Sequence, residues 1–293
     1  MSMGYRYPQA IAVVALVILS AGCASNMVYF PTRQVYGNPS ASGLGYEDVA
    51  FRSRDGTMLS GWFVHARGKA KGTVLHFHGN AQNMTAHFSF VSWLPDAGFN
   101  VFVFDYRGYG ASAGRPTREG VHEDSCAALD YLRSRRDIRT DRILILGQSL
   151  GGANALAAVY DRGKDGIRAV AIDSTFYSYR LIAEDKIKHI PLLGLLRGPL
   201  SSVVMSDARS PASVIDKLSP IPILIVHGTE DAVIPYRHGP MLFEKAQHPK
   251  RFISVPMGRH TDAFVRSDPW YREQLVEFFE DALQGNPSGK SRQ

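Results

Sequence analysis

A serine between two glycines is the first candidate for chemistry in this chain. Ser149 lies at the centre of Gly147-Gln148-Ser149-Leu150-Gly151, after an apolar run at 143–146 and before a stretch rich in Ala and Gly. A serine at a sharp turn between a strand and a helix is predicted to have strained backbone angles and an exposed hydroxyl. The flanking glycines are needed because side chains there would collide with the strand and the helix. We therefore predict that Ser149 is an exposed nucleophile, the alternative being an ordinary Gly/Ser turn.

A base and an acid follow later strands. His260 is the one histidine of ten that lies in a loop after the final predicted strand and downstream of a candidate acid, which makes it the predicted general base. Asp231 follows the strand predicted at 223–226, where a buried carboxylate would orient the imidazole. Asp173, at the end of the preceding strand, is the alternative acid.

Acyl transfer also needs two hydrogen-bond donors for the developing oxyanion. We assign the backbone amides of Leu150, directly after the nucleophile, and of Asn80, in the loop that follows the strand predicted at 73–77. His76 and His78 share a strand face, but no cysteine or carboxylate stands at ligand spacing. The sequence thus predicts neither a metal nor a cofactor.

The segment 105–114 is rich in glycine but does not match a nucleotide-binding loop. Its pattern is GxGxxxG, one residue out of register with the dinucleotide fingerprint, and no Gly-Lys-Ser/Thr follows. We interpret it as a structural turn beside the site, with Asp105 and Arg107 as expected salt-bridge partners.

Alternating apolar strands and helical patterns must position these residues. The Asp55-Gly56 turn predicts a hairpin of 49–53 with 59–64. Buried parallel strands are predicted at 73–77, 101–104, 143–146, 169–172, 223–226 and 252–255. Helices are predicted at 85–97, 120–135, 151–161 and 240–246, and a closing helix after Pro269 has Leu275, Phe279 and Leu283 on one face. The fold class is therefore α/β, a mostly parallel eight-stranded sheet with helices on both faces.

About fifty residues between 172 and 223 interrupt this alternation. Residues 175–217 are predicted to form a small cap-like insertion, because an excursion of this length in a compact domain is usually functional. Its apolar part, 187–204, would accommodate acyl chains or contact a membrane. The alternative is a helix of the main layer padded by loops.

The first residues have the pattern of an export signal. Arg6, the apolar run 10–19 and the small residues at 20–22 predict a signal peptide over 1–22. The next residue, Cys23, completes a sequence similar to a bacterial lipobox, so we expect Cys23 to carry the lipid of a membrane-anchored lipoprotein. An uncleaved signal anchor is the alternative. In a Gram-negative cell, Ala24 in place of Asp favours the periplasmic side of the outer membrane.

The remaining chain divides simply. A tether is predicted at 23–45, the main domain at 46–284 and a flexible tail at 285–293.

If Cys23 is lipidated, Cys126 is the only other thiol, so no internal disulfide forms and a structural role is expected for Cys126. The formal net charge is +6, but the basic residues are scattered without aromatic interleaving, which argues against nucleic-acid binding. Oligomeric state is left open.

From about 29 to 283 the sequence resembles the BEM46-like branch of the α/β-hydrolase superfamily. The resemblance is carried by Tyr29-Phe30-Pro31, His78-Gly79-Asn80-Ala81, Asp105 to Gly110 with Ser112 and Gly114, Gly147 to Gly152, His227-Gly228 with Asp231 and Pro235, and His260. The order Ser149, Asp231, His260 is also that of α/β-hydrolases. The resemblance implies an α/β-hydrolase fold and serine-hydrolase chemistry; some eukaryotic relatives remove palmitate from proteins.

Together these patterns predict a serine hydrolase of carboxylic esters or thioesters, working through an acyl-enzyme on Ser149. Its substrate would be a small-molecule or lipid acyl compound. Two alternatives stay open, a serine peptidase of the same fold and a non-catalytic envelope lipoprotein.

Overall fold

An eight-stranded sheet runs through the centre of the computed structural model, which describes residues 29–188 and 206–285. Its strands are β2 (Tyr46–Arg52), β3 (Met58–Val64), β4 (Thr73–Phe77), β6 (Asn100–Phe104), β7 (Ile143–Gln148), β8 (Ile167–Asp173), β9 (Ile223–Gly228) and β10 (Lys250–Val255). Their order across the sheet is β10-β9-β8-β7-β4-β6-β3-β2. Six strands are parallel, and the β2–β3 hairpin completes the sheet through an antiparallel pairing of β3 with β6. The predicted eight-stranded, mostly parallel sheet is confirmed.

Helices cover the sheet on both faces. They are α1 (Met84–His87), α2 (Arg118–Ser134), α3 (Leu150–Arg162), α4 (Tyr179–Ile187), α5 (Pro211–Val214), α6 (His238–Lys245) and α7 (Trp270–Gln284). Short 3₁₀ helices occupy Pro39–Ser42, Phe88–Phe90, Ile215–Lys217 and Ala263–Val265. Strand side chains alternate between two cores, so Ile145 packs in the core under α2 and α3 while its neighbour Leu144 packs in the core under α7.

The helix predicted at 85–97 is wrong beyond its first turns. Only α1 and the 3₁₀ turn Phe88–Phe90 form, and the chain then continues in turns to Gly98. Pro95 disfavours helical backbone at the residue before it and lacks an N–H donor. Val91 and Leu94 are instead fully buried in the α7-side core. The apolar residues of this segment therefore reach the core from turns and not from a regular helix.

The chain that precedes the sheet lies on the domain. Tyr29 is buried, and β1 (Phe30–Pro31) pairs in parallel with β5 (Ala81–Gln82), a two-residue strand that follows β4. The predicted signal peptide at 1–22, the lipidation site Cys23 and the tail beyond Gly285 lie outside the described residues. Most of the apolar part of the cap-like insertion, predicted at 187–204, also lies outside them, because residues 189–205 are not described, although α4 and α5 on either side are. Within 29–188 and 206–285, the helices are too short or too polar for one to span a bilayer.

Candidate active site

Ser149 lies at a strained turn between β7 and α3, and it is buried, with 8% of its surface exposed, so the predicted exposure is wrong. Its backbone has φ 55° and ψ −121°, a conformation that is rare for a residue with a side chain. The neighbouring glycines leave room for the turn: a Cβ on Gly147 would lie 2.6 Å from Gly152 Cα, and a Cβ on Gly151 would lie 2.0 Å from Phe77 O. The steric reason given above for the two glycines therefore holds in the structure.

Leu150 is the first residue of α3, and Ser149 makes no side-chain hydrogen bond that caps this helix. The first amides of a helix have no partner within the helix, and the helix dipole adds positive potential there. The Ser149 amide itself donates to Asp173 O at 2.8 Å, which fastens the turn to the end of β8. The first amides of α3 are therefore hydrogen-bond donors that lie next to Ser149.

Asp231 and His260 form a close pair. Asp231 Oδ2 lies 2.8 Å from His260 Nδ1, while Asp231 Oδ1 accepts the amides of Val233 and Ile234, each at 2.8 Å. Burial raises the pKa of Asp231, but the hydrogen bond and charge of His260 and the two amides outweigh burial, so the pKa lies below its usual value. An ionised Asp231 keeps the His260 proton on Nδ1 and leaves a lone pair on Nε2.

Two backbone links bring the loops of Ser149 and His260 together. Ser149 is tied to Asp173 as described, and Thr261, next to His260, donates its amide to Ser174 Oγ at 3.0 Å. Asp173 itself accepts from Gln148 Nε2 and from Ser174 Oγ, both at 3.1 Å. His260 is therefore paired with Asp231. The alternative acid, Asp173, instead accepts hydrogen bonds that hold the ends of β7 and β8 together below the site.

Asp173 is fully enclosed under the site. Burial raises its pKa to about 6, an effect that the hydrogen bond from Gln148 and the charge of His260 reduce and the charge of Asp231 increases. The Gln148 side chain also lies 3.1 Å from His76 Nε2 through its Oε1, so one amide links the ends of β4, β7 and β8. These contacts make Gln148 the central polar link below Ser149.

The loop that contains Asn80 is held by three side chains. Tyr106 donates its hydroxyl to His78 O at 3.2 Å, the His78 Nδ1 lies 2.7 Å from Gly79 O, and Tyr109 donates its hydroxyl to Asn80 O at 2.6 Å. Three successive carbonyl oxygens are therefore directed toward protein donors. Because the C=O and the N–H of one trans peptide point in opposite directions, the contact of His78 Nδ1 with Gly79 O directs the Asn80 N–H away from His78.

Two histidines near this loop, His76 and His87, are buried and neutral. Burial, followed by the charge of a neighbouring imidazole, lowers the pKa of both His76 and His87 to about 3. His87 donates from Nε2 to Ala81 O at 2.9 Å. Over the part of the chain that the structure describes, no group of three or more His, Cys, Asp or Glu residues could hold a metal ion.

The expected Asp105–Arg107 salt bridge is wrong. Arg107 instead pairs with Asp124 of α2 at 2.8 Å and with Asp55 of the β2–β3 turn at 2.7 Å. Asp105 accepts the amide of Met84 at 2.7 Å. Arg107 therefore joins the hairpin to α2, while Asp105 anchors α1 beside the Asn80 loop.

Cys126 lies in α2, away from Ser149. Its Sγ is 3.6 Å from His122 Nε2, and burial, followed by the charge of Asp161, raises the pKa of its thiol to about 12. A protonated thiol is a poor nucleophile. This agrees with the structural role expected from the sequence.

Four residues of this site were not singled out from the sequence as supports: Gln148, Ser174, Tyr106 and Tyr109. Gln148 and Tyr109 lie inside the two glycine-rich motifs, and that position was the only available signal. Ser174 has a positive φ of 53° that sequence patterns do not reveal.

An eight-stranded, mostly parallel sheet with a Ser149 turn after the central strand β7 and an Asp231–His260 pair after β9 and β10 defines an α/β-hydrolase. The family model described as Hydrolase_4, "Serine aminopeptidase, S33", matches residues 68–198. The protein YfhR of Escherichia coli K12, itself uncharacterized, is 42% identical over 276 residues, which cover 92% of each chain. The chain belongs to the α/β-hydrolase superfamily, as its similarity to named α/β-hydrolase proteins also shows.

More distant relatives cover most of the domain. Alpha/beta hydrolase domain-containing protein WAV2 of Arabidopsis thaliana is 33% identical over 92% of this chain and 91% of its own length. Human alpha/beta hydrolase domain-containing protein 17B is 33% identical over 79% of this chain and 74% of its own.

Solved structures support the fold. The Pyrococcus furiosus esterase Pf2001 superposes with a TM-score of 0.68 at 21% identity, covering 87% of this chain and 99% of its own. An esterase from Exiguobacterium antarcticum superposes with a TM-score of 0.60 at 16% identity, covering 80% of this chain and all of its own. At such identities the likeness concerns architecture alone.

Proposed function

We propose that this α/β-hydrolase cleaves carboxylic esters or thioesters through an acyl-enzyme on Ser149. The observation that carries the proposal is the 2.8 Å contact between Asp231 Oδ2 and His260 Nδ1, in a loop that is linked through Ser174 and Asp173 to the strained turn of Ser149. A base oriented by a carboxylate, in a loop that is tied to a serine on a strained turn, is the arrangement that nucleophilic acyl transfer requires.

In the first half of the reaction, His260 Nε2 takes the proton of Ser149 as Oγ adds to the acyl carbon. The carbonyl oxygen becomes an oxyanion, and we assign its two donors to the amides of Leu150 and Asn80. The support for Leu150 is its place at the start of α3, and the support for Asn80 is the contact of His78 Nδ1 with Gly79 O, the carbonyl of the peptide that contains the Asn80 N–H. The tetrahedral intermediate then expels the alcohol or thiol, which receives the proton from His260.

The second half repeats these steps with water. His260 removes a proton from water, the resulting hydroxide adds to the acyl-enzyme, and Ser149 leaves with the proton that His260 returns. The buried carboxylate of Asp231 stabilises the imidazolium in both halves, because a cation beside an ionised acid is favoured. Every proton is accounted for by this chain's side chains and water, so the proposed reaction needs no added cofactor.

The test is labelling of the purified full chain with a fluorophosphonate, followed by turnover of p-nitrophenyl esters of increasing chain length and of matched thioesters. We expect labelling in the native chain and none in Ser149→Ala, with turnover reduced by several orders of magnitude in Ser149→Ala and His260→Ala. Hydrolysis of aminoacyl arylamides without ester turnover would identify a peptidase instead. A folded protein that is neither labelled nor active would favour a non-catalytic lipoprotein.

We also propose that the chain is exported and anchored through lipid on Cys23, after removal of 1–22, with 23–45 as tether and 46–284 as the hydrolase domain. The support is the apolar run at 10–19 followed by small residues and cysteine. In Cys23→Ser we expect the protein to leave the membrane fraction on cell fractionation. Complete retention with membranes would favour an uncleaved signal anchor.

A further inference from the structure

Exposed apolar side chains are concentrated at the edge of the sheet where Ser149 lies. Among residues 29–188 and 206–285, nine large apolar side chains are exposed. Five of the nine belong to the segments at the carboxyl ends of the parallel strands: Phe30, Met58, Val233, Met257 and Val265. Tyr160, near the far end of α3, is exposed toward the opposite edge. Such one-sided concentration marks an interaction surface, since apolar residues exposed singly are normally scattered.

Two of these side chains project strongly. Met257 is 67% exposed and Phe30 is 60% exposed. Met257 has a φ of 52°, and its amide donates to Thr229 Oγ1 at 2.8 Å, so the turn that presents it is both strained and fixed. Phe30 is fixed by the pairing of β1 with β5, directly after the Asn80 loop. Both side chains are therefore held out to solvent by backbone that flanks the site.

Arginines accompany the apolar residues. The same loops carry four exposed arginines, Arg33, Arg54, Arg115 and Arg259. None of the four lies within 4.0 Å of a carboxylate oxygen in the described part of the chain. Exposed carboxylates in these loops include Glu230 and Asp268. Unpaired guanidinium groups beside apolar side chains suit a surface of phosphate headgroups over acyl chains.

The path of the chain leads to the same edge. Tyr29 is buried, and the next residue, Phe30, already lies beside the Asn80 loop. Cys23 precedes Tyr29 by six residues. Six residues span at most about 21 Å when fully extended. An anchor at Cys23 would therefore keep this edge, and not the edge at Tyr160, close to the bilayer.

We propose that this edge is a membrane face, defined by Phe30, Met58, Val233, Met257, Val265 and the four arginines, which docks on a bilayer containing anionic lipid. The apolar side chains would enter the headgroup region and the arginines would contact phosphates. The proposal rests on the proposed function in one respect: it implies that the acyl substrate reaches Ser149 from the bilayer. A second copy of this chain is a less suitable occupant, because four unpaired arginines would face four more.

The test uses the full chain reconstituted into vesicles, in a Cys126→Ser background, with one new cysteine at Met257 or at Tyr160. Each is labelled with an environment-sensitive fluorophore, and the parent without a new cysteine corrects for labelling at Cys23. In vesicles with phosphatidylglycerol we expect a blue shift at position 257 and quenching by spin-labelled lipid, with neither at position 160. Equal signals at both positions, or a signal at 160 alone, would overturn the proposal.

A second measurement separates docking from binding of the acyl chain in the site. The double variant Phe30→Gln, Met257→Gln is compared with Tyr160→Gln on a soluble short-chain ester and on an ester embedded in vesicles. We expect the double variant to lose about tenfold on the embedded ester only. Equal loss on both esters would mean that these side chains bind substrate directly. If Ser149 proves unreactive, the proposed function fails, while the fluorophore positions still decide the docking.

Discussion

At the scale of single residues, the site depends on side chains that never reach the substrate. Tyr109 is fully buried, and its hydroxyl lies 2.6 Å from Asn80 O and 3.1 Å from Asn80 Oδ1. This contact holds the Asn80–Ala81 peptide, which directly follows the Asn80 N–H that we assign to the oxyanion site. A catalytic hydrogen bond of this kind depends on geometry to a fraction of an ångström.

Tyr109→Phe is expected to lower kcat by about tenfold to a hundredfold with little change in KM, because the loop that carries the Asn80 N–H loses the donor that holds Asn80 O. The measurement is steady-state turnover together with the affinity for a boronic acid that mimics the tetrahedral intermediate, which should fall in parallel. Tyr131→Phe, whose hydroxyl contacts Arg135, is the matched control. An unchanged kcat in Tyr109→Phe would remove Tyr109 from the positioning role.

Asp173 predicts a pH dependence of stability. Its pKa is about 6 in the folded protein and near 3.8 when unfolded, so the folded state binds the proton more tightly. Ionising this buried carboxyl therefore disfavours folding, and its contribution to stability falls as pH rises from about 4 to about 6.

Asp173→Asn removes this effect. Relative to the native chain, we expect its free energy of unfolding to improve by up to about 3 kcal/mol between pH 4 and pH 7, on top of a constant change from altered hydrogen bonds. Urea denaturation at a series of pH values measures the difference. A difference that stays flat over this range would contradict the proposed ionisation.

At the scale of elements, the turn between β7 and α3 requires glycine because its backbone lies very close to β4, and not because the turn needs a flexible residue. Gly151 lies so near β4 that an added Cβ would be 2.0 Å from Phe77 O and 2.5 Å from His78 O. Backbone oxygens cannot move aside as the end of a side chain can. The helix therefore starts where it does because the strand next to it leaves no space for a methyl group.

Gly151→Ala is expected to destabilise the fold by at least about 3 kcal/mol, since either β4 or α3 must shift. Thermal or urea unfolding measures this directly. Gly45→Ala is the control, because an added Cβ there meets nothing within 4 Å and the position has no positive φ. Similar stability of the two variants would show that the turn tolerates a side chain.

At the scale of the whole molecule, one sheet joins two cores. Leu129 of α2 belongs to the core on one face, and Phe279 of α7 belongs to the core on the other. Each strand contributes alternate side chains to the two cores. Loss of packing on one face would therefore disturb the strands that also form the core on the other face.

Leu129→Ala and Phe279→Ala are each expected to lower the free energy of unfolding by about 3 to 4 kcal/mol, from lost apolar contacts and the cavity left behind. Both should shift one common transition, seen alike by tryptophan fluorescence and far-UV circular dichroism. Two separated transitions in either variant would show that the faces unfold independently.

Sequence patterns were enough to predict the sheet, most of its helices and the order of Ser149, Asp231 and His260. Apolar run length, glycine spacing and the residue that follows each strand are local features, and parallel strands end at one edge, so local patterns were sufficient to place these residues together. The Ser149 turn was likewise predictable, because a glycine on each side has a steric cause within a few residues.

Which side chains contact one another across the sequence became clear from the three-dimensional structure alone. The choice of Asp231 over Asp173, the pairing of Arg107 with Asp124 and the support of Asn80 by Tyr109 all join residues 17 to 29 positions apart along the chain. The turns after Phe90, from which Val91 and Leu94 enter the core that also contains α7 residues, were not predicted either. Side-chain directions at a loop depend on every element that surrounds it, and that information is absent from the local pattern of any one of them.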